Sequence, residues 1–254
     1  MNLFDLTGKK AIVTGGTRGL GYGIAEGLME AGAEVVIFGS SEKALEVADG
    51  FCARGLSCKG LAVNLADQEA REKGFFEAVR LLGGLDILVN SAGIQKRHPY
   101  EEFPLDDWRE VIEVNLTATF VLGQLAAKEF LKKETPSGKI INVASMLSFF
   151  GGQTVPAYAA SKGGVAQITK AMCNELAHKG ININAIAPGY MDTEMNAALT
   201  DPSNPRFKAI SDRIPAGRWG DGDDMKGVCI FLASNASDYV NGAIIPVDGG
   251  YLVK

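Results

Sequence analysis

A chain of 254 residues with 46% hydrophobic and 22% charged residues has the composition of a globular protein able to bury a sizeable core, not that of a disordered chain. Its formal net charge of −5 offers no attraction to phosphate backbones or anionic lipid, so neither nucleic acid nor a membrane is an expected partner. No run approaches the roughly 20 apolar residues that span a bilayer, and Met1–Lys10 holds no apolar leader, so a cytoplasmic location is expected. Four cysteines (Cys52, Cys58, Cys173, Cys229) form no C-x-x-C pair, and His98 and His178 lie far apart. Reduced thiols and no metal site are the expectation.

Taken in chain order, short β-branched runs alternate with longer segments of helical period, the pattern of βαβ units around a parallel sheet. Lys10–Thr14 reads as a strand, Gly19–Ala31 as a helix stopped by Gly32, Val35–Phe38 as a strand and Glu42–Ala53 as a helix. Leu61–Val63 is a weaker strand, Gln68–Leu82 a helix and Asp86–Val89 a strand. One long helix is predicted over Leu105–Lys133, entered through Pro104 and two aspartates, then a strand at Lys139–Val143 and a helix over Ala157–His178. Ile181–Ala187 is the sixth strand. An irregular, Pro- and Asp-rich loop is expected over Thr193–Arg218, followed by a helix at Asp223–Ala233 and a strand at Ala243–Val247. The predicted fold is α/β: one Rossmann-type, doubly wound parallel sheet of seven strands with helices on both faces. A single domain spans 1–254, with a substrate loop at about 190–218.

Directly after the first strand comes Thr14-Gly15-Gly16-Thr17-Arg18-Gly19-Leu20-Gly21, with a helix behind it. Glycines at this turn let the backbone approach a phosphate, and the helix amino terminus presents free N–H groups to it. Dinucleotide sites often carry an Asp or Glu at the end of the second strand, which binds the ribose hydroxyls and disfavours a 2′-phosphate. That position here reads Gly39-Ser40-Ser41, so NADP is permitted, with Arg18, Ser40 and Ser41 as its candidate contacts.

Tyr158 and Lys162 are spaced i, i+4 at the start of a helix, which puts phenol and ammonium on one face. A nearby cation favours the phenolate, so Lys162 is expected to pull Tyr158 below the ordinary range near 10. Ser145 ends the fifth strand at the carboxyl edge where open α/β sheets bind ligands, and Asn90-Ser-Ala-Gly93 closes the fourth at the same edge. Asn115 is a poor helix-interior residue set in an apolar stretch, and its side chain is expected to bind a water or a backbone carbonyl.

These residues resemble the short-chain dehydrogenase/reductase family along essentially the whole chain. The family's glycine motif matches Gly15, Gly19 and Gly21. Its N-N-A-G motif matches Asn90, Ala92 and Gly93, with Ser91 a departure, and its P-G motif matches Pro188 and Gly189, followed by Thr193. The resemblance implies Asn115, Ser145, Tyr158 and Lys162 as catalytic residues. It implies a nicotinamide cofactor held by these motifs with Thr17, Arg18, Leu20, Ser40, Ser41, Leu65, Lys162 and Met191. Asn64 stands where the family usually has an Asp near the adenine.

Within the family, Ala144–Phe149, Ala185–Met191 and Arg213–Gly220 are similar to the 2-dehydro-3-deoxy-gluconate 5-dehydrogenase (2-deoxy-gluconate 3-dehydrogenase) group, and Gly93–Pro99 to gluconate 5-dehydrogenases. The first resemblance favours NAD, and the two together imply a sugar-acid substrate. They also imply a homotetramer, with the helices holding Asn115 and Tyr158 in one interface and the carboxyl-terminal segment in another. A sugar acid needs a cation for its carboxylate. Lys96, Arg97, His98, Arg213 and Arg218 are the candidates, and Arg97, Met146 and Gln153 are expected to join Ser145 and Tyr158 around the substrate. The alternatives are another reductase of the family, such as one acting on 3-oxoacyl thioesters, and a non-catalytic dinucleotide sensor.

Overall fold

The computed structural model describes residues 3–254. Seven strands form one parallel sheet: β1 (Lys10–Thr14), β2 (Glu34–Gly39), β3 (Cys58–Ala62), β4 (Ile87–Asn90), β5 (Gly138–Val143), β6 (Ile181–Pro188) and β7 (Ile244–Val247). Their order is β3-β2-β1-β4-β5-β6-β7. The order reverses between β1 and β4, where the crossovers leave opposite ways and open a crevice at the strands' carboxyl ends.

The near-continuous apolar strands follow from burial on both sides, because successive side chains point to opposite faces. Ala11 and Val13 of β1, Val35 and Ile37 of β2, and Ile87 and Val89 of β4 pack beneath α1 (Gly19–Glu30), α2 (Lys43–Ala53) and α9 (Lys226–Ala233). The intervening Ile12, Val36, Phe38 and Leu88 meet α3 (Gln68–Leu82) and α5 (Ala118–Leu131) on the other face, with α6 (Pro156–Leu176) beside them. Each such side chain taken fully from water is worth about 1.5–3 kcal/mol.

Three expectations differ from what the chain does. The third strand lies at Cys58–Ala62 rather than 61–63, because pairing with Val35–Gly39 of β2 recruits Lys59 and Gly60, which interrupt the apolar pattern. The long helix predicted over 105–133 is helical throughout Leu105–Leu131, but it is not uniform: α4 (Leu105–Ile112) runs into α5 through a π turn at Glu113–Thr117 that carries Asn115. The segment over 193–218 is not irregular: it holds α7 (Ala197–Thr200) and α8 (Pro205–Arg213), the latter capped by Asn204 Oδ1 accepting from the Arg206 N–H at 2.9 Å. A satellite cluster of Met146, Leu199, Ile210, Ile214 and Tyr251 seats these helices above the sheet edge.

Among the described residues the four thiols are free, no group of three or more His, Cys, Asp and Glu is placed to hold a metal, and no helix is long and apolar enough to cross a membrane.

Candidate active site

A cleft of about 1090 Å³ runs across the carboxyl ends of the strands. One end is lined by Ser40, Ser41, Asn64 and Leu65. The glycine turn, with Thr17, Arg18 and Leu20, also lines it, as do Ser145, Tyr158 and Lys162 together with Pro188, Gly189, Met191 and Thr193. Ala92, Gly93 and Arg97 also line it. Four expected residues do not. Asn115 and Asn90 are buried behind the cleft wall, Met146 packs into the satellite cluster, and Gln153 is exposed outside the lining.

The turn after β1 fits a pyrophosphate. Gly15 has φ +68°, and a Cβ on it would lie 2.8 Å from Ala92 Cα, while one on Gly21 would lie 2.2 Å from the Gly15 carbonyl oxygen. Turn, helix and β4 loop therefore touch backbone to backbone. No side chain caps α1, whose N-cap Arg18 is extended, so its first N–H groups remain open to an anion. Thr14 Oγ1 accepts from the Ser91 and Ala92 N–H groups, each at 3.0 Å, clamping β1 to the segment after β4. Ser91, the departure from the family pattern, thus keeps its place through its backbone. Asn90 Nδ2 donates to Asn142 Oδ1 at 2.9 Å and Asn142 Nδ2 to Thr169 Oγ1 at 2.9 Å, so the Asn90 side chain ties β4 to β5 and α6. Asn64 Oδ1 accepts from the Ala66 N–H at 3.1 Å, leaving one lone pair for another donor.

Asn115 is held rather than merely buried. Its Oδ1 accepts from the Ile94 N–H at 2.8 Å, and its Nδ2 donates to the Ile94 carbonyl at 3.0 Å and to Ser161 Oγ at 3.1 Å. The expected bond to a backbone carbonyl is present, and the π segment aims it. Ser145 Oγ accepts from the Leu147 N–H at 3.1 Å, and Ser148 Oγ donates to the Lys162 carbonyl at 2.7 Å, tying the end of β5 to α6.

Lys162 is 3% exposed and donates to the Val143 carbonyl at 2.5 Å, with Nζ 5.7 Å from the centre of the Tyr158 ring. Burial pulls its ammonium down to about 8. Burial pushes the Tyr158 phenol above its ordinary value, and a hydrogen bond with Ser145 and the charge of Arg97 pull the other way. The expected cation effect on the phenol thus comes from Arg97 instead of Lys162, which is turned to Val143.

The candidate cations sort themselves by their partners. Lys96 pairs with Glu110 at 3.0 Å, His98 with Asp107 at 2.6 Å and Arg218 with Asp224 at 2.6 Å, while Arg213 stacks over the Tyr251 ring at 4.2 Å. Arg97 reaches only Gln95 Oε1, at 3.1 Å. Burial lowers its proton affinity, and so does the positive charge of Arg206. Arg206, near the start of α8, also acts on Tyr190, whose ring lies edge-on to Trp219 at 5.2 Å. Sequence reading missed Arg206 and Tyr190, because it is the packing of Phe207 on Trp219, 6.2 Å between centres, that holds α8 where Arg206 acts on Arg97 and Tyr190. It also missed Thr154, a non-glycine residue at φ +63°, whose carbonyl accepts from the His98 N–H at 3.1 Å and so fixes the loop that carries Arg97.

This arrangement is found in known proteins. A family model described as "Enoyl-(Acyl carrier protein) reductase" matches residues 15–252. The chain is 48% identical over 252 residues to a 2-dehydro-3-deoxy-D-gluconate 5-dehydrogenase of Pseudoalteromonas atlantica, covering 98% of each. Among solved structures it resembles a putative 2-deoxy-D-gluconate 3-dehydrogenase from Agrobacterium tumefaciens with bound NADP (49% identity, TM-score 0.93, 100% of both chains). It also resembles a gluconate 5-dehydrogenase from Burkholderia cenocepacia in complex with NADP and tartrate (41% identity, TM-score 0.92, 100% of this chain and 98% of that one). The chain belongs to the short-chain dehydrogenase/reductase family, the NAD(P)-dependent oxidoreductases acting on CH–OH groups.

Proposed function

We propose that the protein interconverts a ketone and a secondary alcohol on a sugar acid, with 2-dehydro-3-deoxy-D-gluconate or a related deoxy-uronate as substrate. The observation that carries this reading is Arg97: it lines the cleft on the Tyr158 side, has no carboxylate partner among the described residues and is faced by a second cation, Arg206. Two like charges brought together at a partly desolvated site are relieved by an anion, and a substrate carboxylate supplies one. The sugar-acid names of the relatives support the same class.

When bound, NAD(P) supplies or accepts the hydride. The chain's own residues handle the proton. Tyr158 Oη, held protonated by burial, donates to the substrate oxygen during reduction, and Ser145 Oγ holds that oxygen in place. Lys162, near its titration midpoint at slightly alkaline pH, would hold the nicotinamide ribose of a bound cofactor. Asn115 fixes both backbone groups of Ile94 and keeps a water lane to Lys162 open. The substrate loop at about 190–218 closes this end of the site within a single domain. A homotetramer in the cytoplasm completes the reading, with the helices holding Asn115 and Tyr158 at one interface and the carboxyl-terminal segment at the other.

The test is an initial-rate matrix of 2-dehydro-3-deoxy-D-gluconate, gluconate or its 5-keto form, and a 3-oxoacyl thioester, each with both cofactors. Highest kcat/KM for the deoxy acid is expected. A gluconate preference moves the assignment to gluconate 5-dehydrogenase, and turnover of the thioester alone refutes the sugar-acid reading. Tyr158→Phe should lower kcat by about 10²–10⁴ while leaving cofactor affinity intact, and a variant near wild-type kcat removes Tyr158 from the proton step.

A further inference from the structure

Arg18 lines the cleft from the glycine turn together with Ser40 and Ser41, and an anion on the adenosine ribose would need a cation such as this one. The end of β2, Gly39-Ser40-Ser41, carries no carboxylate to repel such an anion, and Lys43 adds a positive charge to the same lining. By these residues alone the cleft would favour NADP. Yet Arg18 is not free: its Nη1 donates to Glu194 Oε2 at 2.5 Å across the cleft mouth. Glu194 opens the short helical turn Glu194–Asn196 of the substrate loop. Its neighbour Thr193 lies against the glycine turn, 3.5 Å from where a Cβ on Gly19 would be. The other acidic residue in the lining, Glu110, is already taken by Lys96 at 3.0 Å.

We propose that Glu194 is a cofactor-specificity residue: it occupies the Arg18 guanidinium and so supplies, from the substrate loop, the carboxylate that the end of β2 lacks. A 2′-phosphate, carrying about −1.5 to −2 charges, must take Arg18 from Glu194 to gain its cation, and that competition is the whole of the effect. Both partners are about two-thirds exposed, at 68% and 67%, so the pair is weak and the bias modest. NADP is admitted at a penalty rather than excluded, and NAD, having no 2′-phosphate, leaves the pair closed. The inference rests on Arg18 meeting the 2′-phosphate and not on the identity of the sugar acid.

Equilibrium titration of NADH and NADPH by nicotinamide fluorescence, without substrate, tests it on the wild type, Glu194→Gln, Arg18→Gln and the double variant. Relative to wild type, Glu194→Gln should lower the ratio of the NADPH to the NADH dissociation constant by about 2- to 10-fold, and Arg18→Gln should raise it. In the Arg18→Gln background, Glu194→Gln should change the ratio less than twofold. A ratio unmoved by Arg18→Gln refutes the placement of the 2′-phosphate and the proposal with it. A ratio moved by Arg18→Gln but not by Glu194→Gln leaves Arg18 its role and overturns that of Glu194. An equal effect of Glu194→Gln in both backgrounds shows that Glu194 does not act through Arg18 and likewise overturns the proposal. None of these readings needs turnover, so they stand or fall apart from the rate matrix.

Discussion

Replacing Lys162 with Met keeps most of the buried stem and removes an ammonium that the fold accommodates at a cost. Burial lowers that group from its ordinary 10.5 to about 8, so the folded protein prefers the neutral amine. Between these values the unfolded chain binds more protons, and stability contributed at this site rises with pH. The cost is full below about pH 8 and vanishes towards pH 10.5. At about 1.4 kcal/mol for each pH unit it amounts to about 3 kcal/mol. The variant also leaves the Val143 carbonyl without its donor, a loss of about 1–3 kcal/mol, so its net gain at pH 7 lies between nothing and about 2 kcal/mol. The pH dependence is the sharper quantity, because other groups cancel between the two proteins. For a chain of this length about 1 kcal/mol shifts Tm by about 2 °C. The wild type should therefore gain about 6 °C on Lys162→Met between pH 7 and 10.5. Scanning calorimetry of both proteins across that range measures it, and a gap that stays constant with pH refutes the assignment of a strained buried charge.

Gly21→Ala would place a methyl 2.2 Å from the Gly15 carbonyl oxygen and force the turn open. NADH binding, read by fluorescence titration, should weaken about tenfold or more, with about 1–3 kcal/mol lost from stability in calorimetry. Arg71, 2% exposed, donates to the Leu65 carbonyl at 2.7 Å and to Glu113 Oε1 at 2.8 Å, joining the Leu65 end of the cleft to the start of the π segment. Arg71→Met should cost about 2–3 kcal/mol, less than the usual loss from a fully buried pair because the Glu113 side chain is 35% exposed. Its KM for cofactor should rise because Leu65 loses its anchor, and an unchanged Tm together with an unchanged KM rejects that role.

Where a signal was local, the sequence disclosed it. The β-branched runs at Lys10–Thr14 and Ile181–Ala187, the glycines after β1, and Tyr158 with Lys162 on one helical face all rest on spacing within a few residues, and the chain folds as they indicate. What depended on distant partners was not legible. β3 takes its register from β2, and the π turn within the helix over 105–133 is invisible because Glu113–Thr117 keeps a helical composition. The carboxylates that claim Lys96, His98 and Arg218 could not be assigned from spacing, so five cations looked equivalent, and Asp107, Glu110 and Asp224 take three of them. Arg206 was hidden for the same reason: its reach towards Arg97 depends on how α8 lies on Trp219.

The wide turn at Glu113–Thr117 changes the winding of one continuous rod partway along it. A π turn accommodates an extra residue, and each residue added to a 3.6-residue helix rotates everything beyond it by about 100°. Asn115 sits at that step, its carbonyl accepting from Thr119 Oγ1 at 2.8 Å while its side chain turns to Ile94. Shortening the segment by one residue would restore a uniform coil and swing the amide off Ile94. Regularity and chemistry are thus set against each other at this point, and the irregular choice is the one that keeps the amide on its target.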